Sequence, residues 1–381
     1  MSKRVWMKGV VVGLWVLAVA LSATAEERLP AGQPQAHFSG FASLALSYDD
    51  KATGYYRQAR KSDFDRHSVV GGQGDFRLGS QTGLMVQLVA RGDERWKPTV
   101  AWAMLRHDLG NGFTVRGGRL RMPLFTYSDF LDLGYAQPWA YPPAELYGMV
   151  PVTSYEGVDL LYDTILPNGT SLSLQAFAGQ TDDEFRFTPE LAADFSLRGL
   201  WGGVVSWTND TWTLRANHAR ARARMRDELA PGFLIDVDEN GSFTGIGLGF
   251  DNGDWLVVAE ANQIRVPSAQ YPDTDGAYLT IGRRLGSWTP YLTLARVTTT
   301  DDDRRAGAPG LALFNCSRKA AAVGARWDFS PGKALTFDVT HLRIGSGTQG
   351  GVVTNIEAMM AGNPPPVSRA TVFTVRLDAV F

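Results

Sequence analysis

The side chains that could do chemistry in this chain are carboxylates and guanidinium groups in two contrasting contexts. Asp129, Asp132 and Glu145 lie in the stretch RMPLFTYSDFLDLGYAQPWAYPPAELYG, residues 121–148, which has no basic residue after Arg121. Arginines recur instead at alternate positions of other segments. If this stretch folds against those segments, its carboxylates face arginines and form a charged constriction.

Metal, cofactor and disulfide chemistry have little support. The histidines fall on separate segments without the local spacing of a metal site; they are His37, His67, His107, His218 and His341. We therefore expect neither a metal nor a cofactor. Cys316 is the only cysteine, so an internal disulfide is excluded. We expect Cys316 to be incidental, in a long loop.

The elements that must position the charged residues are β-strands. Sixteen segments alternate between apolar and polar residues. They begin near residues 37, 73, 83, 98, 112, 153, 169, 195, 211, 241, 254, 275, 287, 317, 333 and 368. Seven very short joints, such as Gly110-Asn111-Gly112, alternate strictly with eight mostly long polar ones, among them 123–152 and 223–240. Sixteen up-and-down strands with both termini at the short-turn end give this rhythm, so the fold class is an all-β antiparallel barrel.

The N-terminus points to export. Residues 1–25 have the positive start, apolar run and Ala-Thr-Ala ending of a signal peptide. Residues 26–36 are predicted as a short periplasmic segment and 37–381 as the barrel. Cleavage would take the formal charge from -2 to -5, which argues against nucleic-acid binding. The apolar run is too short for a transmembrane helix, whereas alternating strands cross a bilayer without any long apolar run.

The phase of the alternation supports a membrane barrel. In the last segment Phe373 and Val375 share one face, and Arg376 and Asp378 share the other. The apolar face is predicted to meet lipid and the charged face the lumen. Five tryptophans lie in phase with the apolar residues near the short turns and are predicted to form an aromatic girdle: Trp207, Trp212, Trp255, Trp288 and Trp327.

Together the signal peptide, the sixteen strands, the alternating joints and the terminal TVFTVRLDAVF resemble the 16-stranded porins of the Gram-negative outer membrane, which include the phosphate-selective porins. The resemblance covers the whole mature chain and implies a transmembrane barrel in the bacterial outer membrane. It implies that the third long loop folds into the pore, that Phe381 is read by the barrel-assembly machinery, and that three barrels associate as a homotrimer.

Connection 123–152 is the third long joint and the predicted constriction loop. Five prolines prevent a continuous helix or strand, and its many aromatic rings need cover that a barrel wall can supply. Tyr127 and Tyr135 are predicted at the constriction with the three carboxylates. The alternative is an extracellular lid or subunit-contact loop packed by its own aromatics.

The residues of the pore wall are predicted from the alternation along each strand, because every second side chain points to the same face. The nominated arginines are Arg77, Arg116, Arg119, Arg121, Arg198, Arg215, Arg284, Arg326 and Arg376. A charge facing lipid costs about 2–4 kcal/mol at mid-bilayer, which favours a lumenal position. Some of these arginines have same-face acids close by, such as Asp75 beside Arg77, and for each a purely structural neutralising role is an equal alternative.

The most basic run is RANHARARARMRDE, residues 215–228. Four of its arginines share the parity of Trp212 and Leu214, which points them outward; they are Arg220, Arg222, Arg224 and Arg226. They could bind lipopolysaccharide phosphates. A β-bulge could instead turn them into the vestibule, and a solvated face is a third alternative.

These observations favour a passive diffusion channel for small hydrophilic solutes, with a weak anion preference from the predominance of arginine. Only five scattered lysines follow the signal, so specific phosphate uptake has little support. A structural or adhesive barrel with a plugged lumen is the first alternative. An outer-membrane hydrolase is the second, because His218 and His341 share the phase of apolar residues and could take part in a lipid-facing Ser–His pair.

Overall fold

The computed structural model describes residues 36–55, 62–150, 152–186, 192–230, 233–307 and 309–381. The predicted signal peptide (1–25) and nearly all of the predicted periplasmic segment (26–36) lie outside this part of the chain. The described residues form one closed antiparallel barrel of sixteen long strands, as predicted, with an extra two-residue strand, Ser62–Asp63, paired to the first.

The strands begin and end as follows: β1 (Ala36–Asp49), β2 (Ser62–Asp63), β3 (Val69–Arg77), β4 (Thr82–Arg91), β5 (Pro98–Gly110), β6 (Phe113–Arg121), β7 (Ser154–Ile165), β8 (Ser171–Arg186), β9 (Ala192–Thr208), β10 (Trp212–Ala230), β11 (Phe233–Asp251), β12 (Trp255–Arg265), β13 (Thr274–Arg283), β14 (Trp288–Thr299), β15 (Arg318–Ser330), β16 (Lys333–Ile344) and β17 (Arg369–Val380). The first strand, β1, pairs with β17 on one side and with β3 on the other, which closes the sheet and leaves no free edge.

Short helical segments occur only in the longer connections of the described chain. The α-helical ones are Ala144–Tyr147 and Val353–Met360, and the 3₁₀ turns are Gly92–Glu94, Ser128–Phe130, Gly134–Ala136, Asp302–Arg305 and Pro309–Phe314. None of the helices in the described ranges is long and apolar enough to cross a membrane.

Alternation along each strand separates an outer face from an inner one. In β14, Leu292 and Leu294 are 44% and 52% exposed, whereas Tyr291 and Thr293, which alternate with them, are buried. The side chains of β17 repeat the pattern, with Phe373 exposed and Asp378 buried. Since successive side chains of a strand point to opposite faces, the exposed apolar residues form the outer surface of the barrel and the buried polar ones point inward.

The short turns follow from their residue types. Asn111 and Gly112 have φ values of 53° and 85°. Two consecutive positive φ angles match the right-handed twist of the flanking strands, and glycine and asparagine adopt them at low cost. The predicted tryptophans gather on the outer face at this end of the barrel. Trp288 lies opposite Trp327 in register, and their rings stack at 5.4 Å.

The connection predicted at residues 223–240 is wrong. Residues 223–240 do not form a long loop, because β10 continues to Ala230 and β11 begins at Phe233. Arg224, Arg226, Asp236 and Asp238 lie on the outer face, whereas Met225, Ile235 and Val237 on the inner face are at most 2% exposed. The charges suggested a loop, but an apolar inner face is enough to hold both strands in the sheet.

Candidate functional site

The connection from β6 to β7, residues 122–153, is the largest feature packed against the inward-facing side chains, and we call it the aromatic loop. Near its start, Arg215 Nη2 donates to the carbonyl of Pro123 at 2.7 Å, and Asn217 Nδ2 donates to the carbonyl of Leu124 at 2.6 Å. Both side chains come from β10, far from β6 in sequence. The start of the aromatic loop is therefore bound to a strand on another part of the barrel.

The middle of the aromatic loop is bound by β15 and β17. Arg326 Nη1 donates to the carbonyls of Tyr135 and Gln137, both at 2.7 Å. Arg376 Nη2 donates to the carbonyls of Gly134 and Trp139 at 2.8 and 2.7 Å. Two predicted wall arginines thus bind loop backbone, and each also keeps a carboxylate neighbour on its own strand, Asp328 or Asp378.

The aromatic rings of the loop pack against the wall. Trp139 is 1% exposed, donates from Nε1 to Thr280 Oγ1 at 2.7 Å, and meets the ring of Tyr278 edge-on at 5.5 Å. Phe125 lies 4.5 Å from Tyr147. These contacts supply the cover that the composition of the loop requires.

Small wall residues make room for the loop. A Cβ at Gly276 would lie 3.1 Å from the carbonyl oxygen of Glu145 and 3.3 Å from Leu146 Cδ1. A Cβ at Gly247 would lie 2.8 Å from Thr126 Oγ1. Glycine at these positions leaves room for the loop backbone at Glu145 and for the Thr126 side chain to lie close to the sheet.

Asp132 does not face open space. Arg91 holds it with two hydrogen bonds of 2.7 Å, and Arg121 pairs with the same carboxylate. Burial alone would raise the pKa of Asp132, but the guanidinium groups of Arg121 and Arg91 lower it well below the ordinary value of an aspartate. Asp132 is therefore an anchor between the aromatic loop, β4 and the end of β6.

Glu145 is a second anchor. Arg318 Nε donates to its carboxylate at 2.6 Å, and the hydroxyl of Tyr55 donates at 3.0 Å. Glu145 is 1% exposed, and Arg318 also donates from Nη1 to the carbonyl of Gly350 at 2.7 Å. This carboxylate therefore connects the aromatic loop to β15, to Tyr55 in the connection after β1 and, through Arg318, to Gly350 in the connection after β16.

Asp129 differs from both. It is exposed and forms no ion pair with any residue in the described ranges. The positive groups that act on it electrostatically are Arg116, Arg215 and Arg121. Of the predicted tyrosines, Tyr135 lies under Arg326, whose guanidinium carbon is 4.7 Å from the ring, and Tyr127 packs edge-on against Trp139 at 5.2 Å.

The remaining inward arginines have different partners. Arg116 binds Asp159 through two hydrogen bonds of 2.9 and 2.5 Å, and Arg284 pairs with Asp251. Asp75 accepts a hydrogen bond from Gln73 rather than from Arg77, which is exposed and makes no ion pair within the described chain. A purely neutralising role is thus supported for Arg116 and Arg284 and not for Arg77.

Two predicted wall arginines lie on the outer face instead. Arg119 pairs with Glu156, which shares its face with Val158, a residue that is 56% exposed. Arg198 is displaced by a bulge at Gly199, where φ is 59°. Arg220 lies opposite Trp201 and Arg222 opposite Arg198, so β9 contains one residue more than β10 over this step. The extra residue reverses the parity from which Arg198 was placed inside.

Sequence reasoning missed several inward residues. Arg106 lies opposite Arg116 in register and is exposed. Arg106 alternates with the outward-facing Leu105 and Leu109, and this alternation could have placed it on the inner face. Glu260 accepts hydrogen bonds from the hydroxyls of Tyr147 and Tyr278, both at 2.6 Å. A lone acid in an otherwise apolar segment was the only trace of it in the sequence.

Three of the histidines bind neighbouring strands, whereas Cys316 lies beside the Glu145–Arg318 anchor. His107, His218 and His341 each place Nδ1 within 2.8–3.2 Å of a threonine hydroxyl on the neighbouring strand. Cys316 is buried, with its sulfur 3.7 Å from Arg318 Nη1. No group of three or more potential metal ligands occurs in the part of the chain that the structure covers.

The barrel is similar to solved structures of outer-membrane proteins. OmpT of Vibrio cholerae in a trimer form matches with a TM-score of 0.58 and 12% identity over 91% of this chain and 99% of that chain. OmpF of Salmonella typhi in complex with daunomycin gives 0.59 and 12% over 93% and 99%. An anion-selective porin from Comamonas acidovorans gives 0.58 and 14% over 92% and 100%.

No protein-family model matches the sequence, and no curated protein matches it. At these identities the likeness concerns the fold. The predicted resemblance is confirmed at that level: the chain has the closed 16-stranded barrel fold seen in outer-membrane porins.

Proposed function

We propose that this protein is an outer-membrane porin, a water-filled channel through which small hydrophilic solutes diffuse passively. A 16-stranded barrel is wide enough to leave an aqueous lumen. The apolar outer face suits lipid, and the polar inner face suits water. The signal peptide predicted at residues 1–25 would export the chain, and no step requires a cofactor.

In this proposal the aromatic loop lies inside the barrel and narrows it. The observation that carries the idea is the direction of the wall side chains that bind the loop. Thr280, Arg326 and Arg376 alternate with exposed apolar residues and therefore point inward, and all three bind the loop. An extracellular lid would not reach them.

The open passage would lie beside the loop rather than through it. Inward residues under the loop are fully covered: Thr280 and Asp378 are 0% exposed. Those on β4 to β6 are not, since Gln87 is partly exposed and Arg106 is exposed. Solutes would pass beside Asp129 and Phe130, which are exposed, rather than past Asp132, which is bound to β4 and β6.

Selection would combine size with charge. Asp129 is the one loop acid of the three that remains free for solutes, because Asp132 and Glu145 bind arginines. Arg77, Arg106 and Arg215 face inward without a carboxylate partner in the described chain. Arg77 and Arg106 are exposed, whereas Arg215 also binds the loop carbonyl of Pro123, and Asp75 on the same wall has no cation partner in the described chain either. This small excess of unpaired positive charge supports only a weak anion preference.

Assembly proposals follow the same fold. The chain terminus closes the barrel, because Phe381 and Gly40 exchange backbone hydrogen bonds of 2.7 and 2.9 Å. This placement suits a C-terminal residue read by the assembly machinery. A homotrimer is supported by the trimer form of the OmpT neighbour. A lipid-facing role for the tryptophans is supported by their place at the short-turn end.

Conductance in planar bilayers tests the proposal. Purified, refolded protein should give stepwise currents and a reversal potential shifted slightly towards anions in a salt gradient. Liposome swelling with sugars of increasing size should show a cut-off. A barrel plugged by its loop would give no steps, and this result would favour the structural or adhesive alternative. Hydrolysis of lipid or peptide by the same sample would instead favour the enzyme alternative.

A further inference from the structure

The outer face of the barrel carries a charged surface that the channel does not use. β8 to β11 are the longest strands, with 16, 17, 19 and 19 residues. Their outer faces begin apolar at the short-turn end, with Leu174, Val205, Leu214 and Ile246 all 37–63% exposed. Towards the long-connection end they become charged. The change of chemistry therefore occurs on four neighbouring strands.

The position of this change along the strands can be compared with the thickness of the membrane. The apolar band of an outer-membrane barrel is about 25 Å tall, and a tilted strand crosses it in about 9–11 residues. Counting from Trp212, which starts β10 at the short-turn end, this span ends near Arg220 and Arg222. These two residues are therefore expected at the level of the headgroups of the leaflet nearest the long connections.

Strand register gathers a group of arginines at that level. Arg220 lies opposite Trp201 and Arg222 opposite Arg198, and the bulge at Gly199 turns Arg198 to the outer face with them. Arg224 follows on the same face of β10. We call Arg198, Arg220, Arg222 and Arg224 the arginine row. Trp201, 54% exposed, lies next to it.

The arginine row has an excess of positive charge. Asp182 binds Arg198 at 2.5 Å, and Asp238 is shared by Arg222 at 2.5 Å and Arg224 at 3.0 Å. Arg220 pairs with no carboxylate of the described chain. Four guanidinium groups thus meet two carboxylates. Farther from the apolar band, Arg226 lies 3.9 Å from Asp236, and the acids Glu184 and Glu228 are exposed on the same outer faces.

We propose that the arginine row and Trp201 bind the phosphorylated headgroup of an outer-leaflet lipid. Guanidinium groups bind phosphate oxygens bidentately. An indole at the interface packs against the apolar and sugar portions of such a lipid. The apolar band directly below receives the acyl chains, which a free phosphate ion lacks. This inference rests on the membrane placement proposed above and is independent of solute passage.

The matched variants are Arg220→Gln/Arg222→Gln as the test and Arg226→Gln as the control. All three arginines lie on the outer face of β10, but Arg226 is 75% exposed and beyond the arginine row. Glutamine retains length and hydrogen bonding while removing the charge. The substitutions are on the surface, so the barrel should fold in every variant, and heat-modified gel mobility verifies this.

Refolded protein would be reconstituted in nanodiscs with bisphosphorylated lipid A, with the same lipid A after dephosphorylation, or with bisphosphorylated lipid A and inorganic phosphate in the buffer. Native mass spectrometry then counts retained lipid. Wild type and Arg226→Gln should retain the bisphosphorylated form about tenfold more strongly than the double variant, as expected for the loss of charge-assisted hydrogen bonds. Inorganic phosphate should not compete.

Three results would overturn the proposal: equal retention by the double variant, equal loss in Arg226→Gln, or equal retention of dephosphorylated lipid A. Displacement by inorganic phosphate would show a free-anion site and would likewise overturn it. Single-channel conductance is measured on the same preparations. Its absence in wild type would count against the channel proposal and leave the lipid result to be judged separately.

Discussion

Glu145 of the aromatic loop and Arg318 of β15 form a buried ion pair, with Nε to Oε1 at 2.6 Å and side-chain exposures of 1% and 4%. The residues are 173 positions apart. Their pairing fixes the far end of the loop to the barrel wall, at a point where water cannot screen it.

The first prediction concerns this pair. Glu145→Gln leaves the Arg318 guanidinium buried without its counter-charge, which costs about 3–5 kcal/mol. We expect an earlier transition in urea and flickering of single-channel current, because the loop end is released. Glu145→Leu/Arg318→Met removes both charges and should restore most of the stability. If Glu145→Gln unfolds at the same urea concentration as wild type, the pair does not hold the loop.

The second prediction separates the loop acids. Asp129→Asn removes the exposed carboxylate and should shift the reversal potential towards anions without changing the midpoint of unfolding. Asp132→Asn is the contrast: it frees Arg91 and Arg121 and should lower stability. Reversal potentials in a potassium chloride gradient and urea titrations provide both readouts. An unchanged reversal potential for Asp129→Asn would place this side chain outside the passage.

The third prediction uses the depressed pKa of Asp132. A carboxyl with a lowered folded-state pKa contributes stability that is fully present above its ordinary value of 3.8 and is lost as pH falls through the folded-state value. The stability difference between wild type and Asp132→Asn should therefore persist from pH 7 to pH 5 and narrow only below about pH 4. Urea midpoints at several pH values measure it. A difference that disappears between pH 7 and pH 5 would contradict the Arg91–Asp132–Arg121 arrangement.

The fourth prediction tests the packing of the aromatic loop against β13. Gly276→Val places side-chain atoms where the Glu145 carbonyl and Leu146 lie, and overpacking of this kind costs about 1–3 kcal/mol. The loop should be pushed off the wall into the passage, so conductance should fall. Gly249→Val is the matched control, because a Cβ at Gly249 meets only ordinary contacts of 3.5 Å or more. Equal conductance in the two variants would argue against a loop packed on β13.

The alternation of residues was enough to predict the barrel. Successive side chains of a strand point to opposite faces. The types of Phe373, Val375 and Asp378 therefore indicate which face of β17 is the outer one and which the inner one. Turn residues such as Asn111 and Gly112 are also local signals, because their backbone angles depend on their own side chains. The count of sixteen strands and the position of the tryptophans on the outer face follow from these signals.

The alternation of residues predicted the wrong face where the backbone of a strand is irregular. Gly199 inserts one residue into β9 and turns Arg198 outward, and nothing in the sequence around it distinguishes this glycine from the others. Charge suggested a loop at 223–240 for a related reason. The composition of a strand's outer face does not reveal the apolar inner face that holds it in the sheet.

The sequence by itself determined most of the strands and their faces, together with the third long connection that carries Asp129, Asp132 and Glu145. Only the tertiary structure decided which acids are anchors. Asp132 meets Arg91 and Glu145 meets Arg318, whereas Asp129 meets no cation of the described chain. The physical reason is that local pattern governs which face of a strand a side chain takes, whereas these ion pairs depend on where the loop packs against strands that are as many as 173 positions away.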